Sequence, residues 1–183
     1  MKIAITGGIG SGKSYVCRLF EKHGISIYDC DAAAKRLMRT SPTLQQQLTA
    51  LIGSETYNSE GQLNKAEVAR FLLQSDENAK AIDAIVHPAV AHDFQESGYE
   101  WMECAILFES GFHQLVNKVI VVTAPEDIRI QRVMQRDNIS REKALEWIHK
   151  QWPQNMVRER ADYEIINDGR PLEPQIERII DSL

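Results

Sequence analysis

Cysteine is scarce in this chain, and the few present are not spaced for chemistry. Cys17, Cys30 and Cys104 are odd in number and far apart, with no CxxC or Cys/His spacing. This pattern argues against a zinc site and a disulfide framework, and it predicts a reducing, cytoplasmic location. The 183 residues are enough to bury a hydrophobic core without such cross-links.

Long apolar runs and a surplus of basic residues are also absent. No run of 18 apolar residues occurs, so we expect no transmembrane helix, and the first residues indicate a strand rather than a signal peptide. The net charge is -5, whereas a general nucleic-acid binder usually carries excess positive charge to neutralise phosphates. We therefore expect neither a nucleic-acid nor a membrane partner, and no feature implies an obligate protein partner.

Short apolar runs alternate with helical patterns along much of the chain. Because strands that alternate with helices form parallel sheets covered on both faces, the pattern predicts an α/β fold. A long helical stretch, 32–97, exceeds one crossover and predicts an inserted subdomain. Asn64, Asp76 and Ser140 are candidate helix N-caps. The predicted strands cover 3–5, 25–28, 104–108, 119–122 and 163–166.

Residues 7–14, Gly-Gly-Ile-Gly-Ser-Gly-Lys-Ser, match the phosphate-loop pattern GxxxxGK[ST] in full. Glycines allow successive N–H groups to turn toward a phosphate, and the following helix presents its positive dipole end to the same anion. Lys13 is expected to reach the β- and γ-phosphates, and the Ser14 hydroxyl to bind Mg²⁺. A chance glycine-rich turn is the alternative, but the strand before and the helix after favour a nucleotide site. Its candidate residues are Gly8, Gly10, Ser11, Gly12, Lys13, Ser14 and Tyr15.

A second acidic motif distinguishes among phosphate-loop proteins. No DxxG occurs, which argues against a GTPase. Asp29-Cys30-Asp31 follows the second predicted strand, and ligands of open parallel sheets bind beyond the carboxyl ends of strands. Carboxylates there can accept a proton from a substrate hydroxyl or hold a metal, which favours a kinase. The alternative for Asp31 is an ordinary helix N-cap.

These motifs together resemble the dephospho-CoA kinase family. The phosphate loop preceded by Thr6, the pair Gly24-Ile25 and the Asp-Cys-Asp motif match that family in order. Tyr15 stands where the family usually has Thr, Cys30 where it has Ala, and Ala105 where it often has Pro. None of these departures removes a group with obvious chemistry. Further landmarks are His87-Pro88, Leu107-Phe108-Glu109, Gln131-Arg132 with Arg136, Gln151, and Ala161-Asp162 with Asn167-Asp168-Gly169.

The resemblance implies an activity and an organisation. The family phosphorylates the ribose 3′-hydroxyl of dephospho-CoA with ATP, giving coenzyme A and ADP in the last step of CoA biosynthesis. Asp31 is then the base, with Lys13 and Arg136 completing the catalytic set, and Mg²⁺ is held by Ser14 and Asp31, directly or through water. Asp29 becomes a substrate-binding, metal-supporting or structural residue. The chain is expected to form a single five-stranded phosphate-loop kinase unit with a core at 1–31, 98–130 and 160–183, an acceptor-binding insert at 32–97 and a lid at 131–159.

Five more residues have two interpretations each. Arg136 and Arg141 either contact phosphates from the lid or lie on a solvated helix face. His87 either lines the acceptor site or packs in its helix, and Glu109 either lies near the acceptor or caps a helix. Asn167 either contacts adenine or is ordinary turn chemistry. Two rival functions also remain: a nucleotide or nucleoside kinase, and a non-catalytic ATP-binding regulator.

Overall fold

The computed structural model describes all residues, 1–183, and contains five strands and nine α-helices. The chain divides into two compact units, one of residues 1–28 with 99–183 and the other of 29–98. The strands are β1 Ile3–Thr6, β2 Ile27–Asp29, β3 Trp101–Glu103, β4 Lys118–Thr123 and β5 Tyr163–Ile166. The helices are α1 Lys13–Lys22, α2 Cys30–Thr40, α3 Pro42–Ile52, α4 Lys65–Leu72, α5 Asp76–Glu96, α6 Glu126–Asp137, α7 Arg141–Lys150, α8 Gln154–Arg158 and α9 Glu173–Ser182.

The strands form one parallel sheet in the order β2-β3-β1-β4-β5, which confirms the predicted α/β class. The two central strands, β1 and β4, are mostly apolar because helices cover both faces of the sheet. Ala4, Ile5 and Ile120 are fully buried. A core forms where α1 and α9 pack on the sheet, through residues such as Phe20 and Ile176.

The third strand lies earlier than the sequence predicted. The apolar run 104–108 was expected to be a strand, but β3 is Trp101–Glu103 and the following residues form turns. The reason is the length of the neighbouring strand. Cys104 N–H donates to the Ile5 carbonyl at 3.0 Å, and one residue later β1 ends and its chain enters the phosphate loop. Beyond Cys104 the segment therefore has no strand to pair with.

The second unit is helical and consists of α2 to α5, with a longer connection at 53–64 that includes a 3-10 turn at Ser54–Thr56. Ser41 caps α3 before Pro42, and Asn64 caps α4 as predicted. The cap of α5 is Ser75, and Asp76, the predicted cap, is the first helical residue. None of the nine helices combines the length and apolar character needed to cross a membrane.

Candidate functional site

The phosphate loop connects β1 to α1, as its sequence predicted. Gly12 is the N-cap of α1 with a left-handed backbone (φ 88°), and no side chain caps this helix. The first N–H groups of a helix lack intrahelical acceptors, so an uncapped start is suited to an anion. Ser11 is fully buried, and its hydroxyl oxygen has no hydrogen-bond partner. The loop therefore presents polar groups that a bound phosphate can satisfy.

Lys13, the first residue of α1, forms an ion pair with Glu103 at the end of β3. Both side chains are largely buried, with 11% of Lys13 and 16% of Glu103 exposed. The carboxylate thus compensates the ammonium group that is expected to bind phosphates. Sequence reasoning missed Glu103 because the strand was placed at 104–108. With the strand ended correctly, an acidic residue at the carboxyl end of a strand beside β1 would have been the signal.

Both backbone polar groups of Ile9, at the tip of the loop, form hydrogen bonds to side chains. Its N–H donates to Gln151 Oε1 at 2.7 Å, and its carbonyl accepts from Arg129 Nε at 2.9 Å. The sequence indicates Gln151 only through the family resemblance, and it does not indicate Arg129. A contact between residues 120 positions apart has no signature in local sequence.

Arg132 and Asn167 hold the next part of the loop. Arg132 Nη1 donates to the carbonyls of Gly10 and Ser11, each at 3.2 Å, and its Nη2 donates to the Asn167 side chain at 3.3 Å. Asn167 Nδ2 in turn donates to the Ser11 carbonyl at 2.9 Å. The turn after β5 is thereby fixed against the phosphate loop. The expected contact of Asn167 with adenine stays a prediction.

The two aspartates of the Asp-Cys-Asp motif have different surroundings. Asp29 caps α2 by accepting the Ala32 N–H at 2.9 Å, so the helix-cap alternative for Asp31 is wrong. Asp31 lies in the first turn with 78% of its side chain exposed and pairs with Lys35 at 2.6 Å. The hydrogen bond and the charge of Asp31 raise the pKa of Lys35. Asp31 therefore does not cap α2, and its role as the base stays a prediction.

The arginines assigned to the lid are exposed and paired with nearby carboxylates. Arg136 Nη2 lies 2.7 Å from Asp137, and Arg141 Nη2 lies 2.9 Å from Asp127. The hydrogen bond from Arg136 lowers the pKa of Asp137. Such surface pairs are weak and exchange readily with a phosphate. Contact between these arginines and phosphates remains a prediction.

The other predicted residues are placed as follows. His87 lies in α5, with Nε2 3.5 Å from Asp83 Oδ1 one turn earlier. Glu109 lies within the turns after β3, and its carboxylate accepts the Trp152 N–H at 3.3 Å. Tyr15 is exposed, with the guanidinium of Arg18 5.8 Å from its ring centre. The structure gives none of these three a ligand role, and their assignments stay predictions.

Comparison with known proteins agrees with the site. The family model for dephospho-CoA kinase matches residues 1–173. A dephospho-CoA kinase of Bacteroides fragilis is 40% identical over 188 residues, covering 98% of this chain and 91% of that protein. The crystal structure of TT1252 from Thermus thermophilus has a TM-score of 0.81 at 33% identity, covering 100% of this chain and 95% of that one. The Campylobacter jejuni dephospho-CoA kinase has the same fold (TM-score 0.70, 22% identity, coverage 100% and 97%). This chain belongs to the dephospho-CoA kinase family.

Proposed function

We propose that this protein transfers the γ-phosphoryl group of ATP to the ribose 3′-hydroxyl of dephospho-CoA, giving coenzyme A and ADP. The observation that carries the proposal is the phosphate loop with its buried Lys13, in a chain that matches the family over residues 1–173. Phosphoryl transfer depends on alignment of the reactants and on neutralisation of charge, with little covalent work by the protein.

At the nucleotide end, Lys13 is the group that meets developing negative charge. In the nucleotide-free protein its ammonium is paired with Glu103. When ATP binds, the phosphate oxygens share or replace that carboxylate, so the ammonium is never left buried and uncompensated. The uncapped start of α1 adds N–H donors directed at the same phosphates.

Mg²⁺ is proposed as the metal cofactor that accompanies ATP. Hard oxygen donors suit this ion, and Ser14 and Asp31 supply them, directly or through water. Bound there, Mg²⁺ neutralises charge on the triphosphate.

At the acceptor end, Asp31 is proposed to orient the 3′-hydroxyl and to accept its proton. The hydroxyl oxygen forms the new bond to phosphorus, the bond to the ADP leaving oxygen breaks, and the proton passes to the Asp31 carboxylate. The pair with Lys35 is exposed, so the acceptor hydroxyl can displace it at low cost. Asp29, which caps α2, contributes by fixing the start of the helix that carries Asp31.

The remaining assignments complete the proposal. Arg136 and Arg141, from the lid at 131–159, are proposed to form charge-assisted hydrogen bonds to the phosphates when the lid closes. The helical insert is proposed to bind the acceptor, with His87 and Glu109 beside it. Asn167 is proposed to contact the adenine of ATP.

The test is an acceptor panel. Purified protein is incubated with ATP, Mg²⁺ and, separately, dephospho-CoA, AMP or nucleosides, while ADP release is followed and products are identified by mass spectrometry. We expect acceptor-dependent ADP release with dephospho-CoA and a product of the mass of coenzyme A. Turnover only with AMP or a nucleoside would instead identify a nucleotide or nucleoside kinase. Tight ATP binding without acceptor-dependent turnover would identify a regulatory ATP-binding protein.

A further inference from the structure

Arg129 is a buried arginine that has no carboxylate partner. Only 5% of the residue is exposed, and no acidic oxygen lies within ion-pair distance of its guanidinium. Its one hydrogen bond joins Nε to the Ile9 carbonyl at 2.9 Å. Burial lowers its pKa, partly offset by Glu126 one turn earlier in α6. A buried charge without a counter-charge destabilises the folded protein, so we expect a partner of opposite charge to bind near it.

The guanidinium lies directly against the phosphate loop. A Cβ built on Gly8 would be 2.5 Å from Arg129 Nη2 and 3.1 Å from its Cζ, so the guanidinium lies in contact distance of the loop backbone at this position. Arg129 also lines a cavity of about 550 Å³, together with residues that include Glu126, Gln151 and Trp152. The Nη groups make no hydrogen bond to protein. The positive charge is therefore held against the loop backbone and is not neutralised there.

We infer that Arg129 is a second cation of the phosphate loop, acting beside Lys13 to strengthen binding of nucleotide phosphates. Its hydrogen bond to the Ile9 carbonyl holds the guanidinium beside the loop tip. From there its charge raises the positive potential that the triphosphate meets. Charges in a partly desolvated site interact over several ångströms, so the guanidinium need not touch a phosphate to act. The counter-charge that the protein lacks is then supplied by the ligand.

A charge role makes a different prediction from a packing role. Arg132, the other arginine on the loop, bonds two loop carbonyls and Asn167, so its loss removes several contacts at once. The Arg129 side chain makes a single hydrogen bond, so its charge can be removed with little other change. Lysine at position 129 keeps the charge without the planar fork, whereas glutamine and methionine remove the charge. The affinity for nucleotide phosphates should therefore depend on whether the side chain at position 129 is positively charged.

The experiment measures ATP and ADP affinity by calorimetry, without acceptor, for wild type, R129K, R129Q and R129M. The matched control is R178M, which removes an exposed arginine of α9 that bonds only a carbonyl of its own helix. We expect R129Q and R129M to weaken both nucleotides by about tenfold or more, and R129K to stay within about threefold of wild type. ATP affinity should also fall less steeply with salt in R129M than in wild type. R178M should bind both nucleotides as wild type does.

Two results would overturn the inference. One is wild-type ATP and ADP affinity in a folded R129Q or R129M protein, even if its unfolding midpoint is lower. The other is an R129K protein that binds as weakly as R129M, which would leave the hydrogen bond alone as the cause. The inference rests on the proposed function only in taking ATP as the ligand of the loop. Failure of wild type to phosphorylate dephospho-CoA would reject the proposed function and leave the binding result unaffected.

Discussion

Gly12 and Gly24 flank α1. Alanine variants of the two residues separate the cost of a left-handed backbone from the cost of a side-chain overlap in the phosphate loop. Both have left-handed backbones, with φ of 88° and 81°. Alanine in that conformation costs roughly 1–2 kcal/mol. A Cβ on Gly24 meets nothing within 4 Å, so G24A should show this backbone cost alone.

G12A should cost considerably more, because the added methyl group would overlap Asn167 Nδ2. Asn167 then has to move, losing its 2.9 Å bond to the Ser11 carbonyl and the 3.3 Å bond from Arg132. Each such bond contributes about 1 kcal/mol. We therefore expect G12A to lower the free energy of unfolding by about 3–4 kcal/mol, against about 1–2 kcal/mol for G24A. Loss of unfolded-state entropy is the same for both variants and cancels in the comparison.

The assay is urea unfolding followed by circular dichroism, without nucleotide. The single variant N167A and the double variant G12A/N167A complete the cycle. Removing the Asn167 side chain relieves the overlap, and the two bonds are then lost only once, so the double variant should cost about 2 kcal/mol less than the sum of the singles. Equal destabilisation by G12A and G24A, or strict additivity in the cycle, would refute the reasoning.

Three further predictions concern single side chains. D31N should lower kcat by on the order of 10²–10⁴ with ATP affinity retained, measured by ADP release and calorimetry; a near-normal rate would remove Asp31 from the base role. E103Q should destabilise the nucleotide-free protein by roughly 3 kcal/mol, because the buried Lys13 loses its carboxylate. In EDTA, ATP should then raise its melting temperature more than that of wild type; equal shifts would contradict the exchange of Glu103 for phosphates. Although burial opposes it, hydrogen bonds from Lys118 and the Val119 N–H hold the pKa of Asp162 below its usual value. That stabilisation is present above about pH 4 and is lost as pH falls through the folded pKa, so the difference in unfolding free energy between wild type and D162N should shrink in acid. A difference independent of pH would be inconsistent with this linkage.

The architecture and the phosphate loop could be predicted from sequence because their signals are local. Apolar runs, helix caps such as Asn64 and Ser140, and the glycines before Lys13 all act within a few residues. The third strand could not be bounded in this way. Its end is set by where β1 turns into the phosphate loop, about a hundred residues earlier in the chain.

The candidate site was predicted only in part, for a similar reason. The motif residues were identified, but not the side chains that fix the loop from distant segments, among them Glu103 and Arg129. Asp31 shows the limit of motif reasoning on a smaller scale. The pattern Asp-Cys-Asp did not reveal which aspartate caps α2, because that depends on the residue at which the helix begins.

The central claim is that the Asp31 carboxylate forms a hydrogen bond with the hydroxyl that receives the phosphoryl group. A crystal structure with a non-hydrolysable ATP analogue, Mg²⁺ and dephospho-CoA tests it most directly. We predict an Asp31 oxygen at about 2.6–3.2 Å from the ribose 3′-oxygen, with that oxygen in line with the γ-phosphorus. An acceptor hydroxyl held by another base, with Asp31 still paired to Lys35 and remote from the triphosphate, would contradict the account.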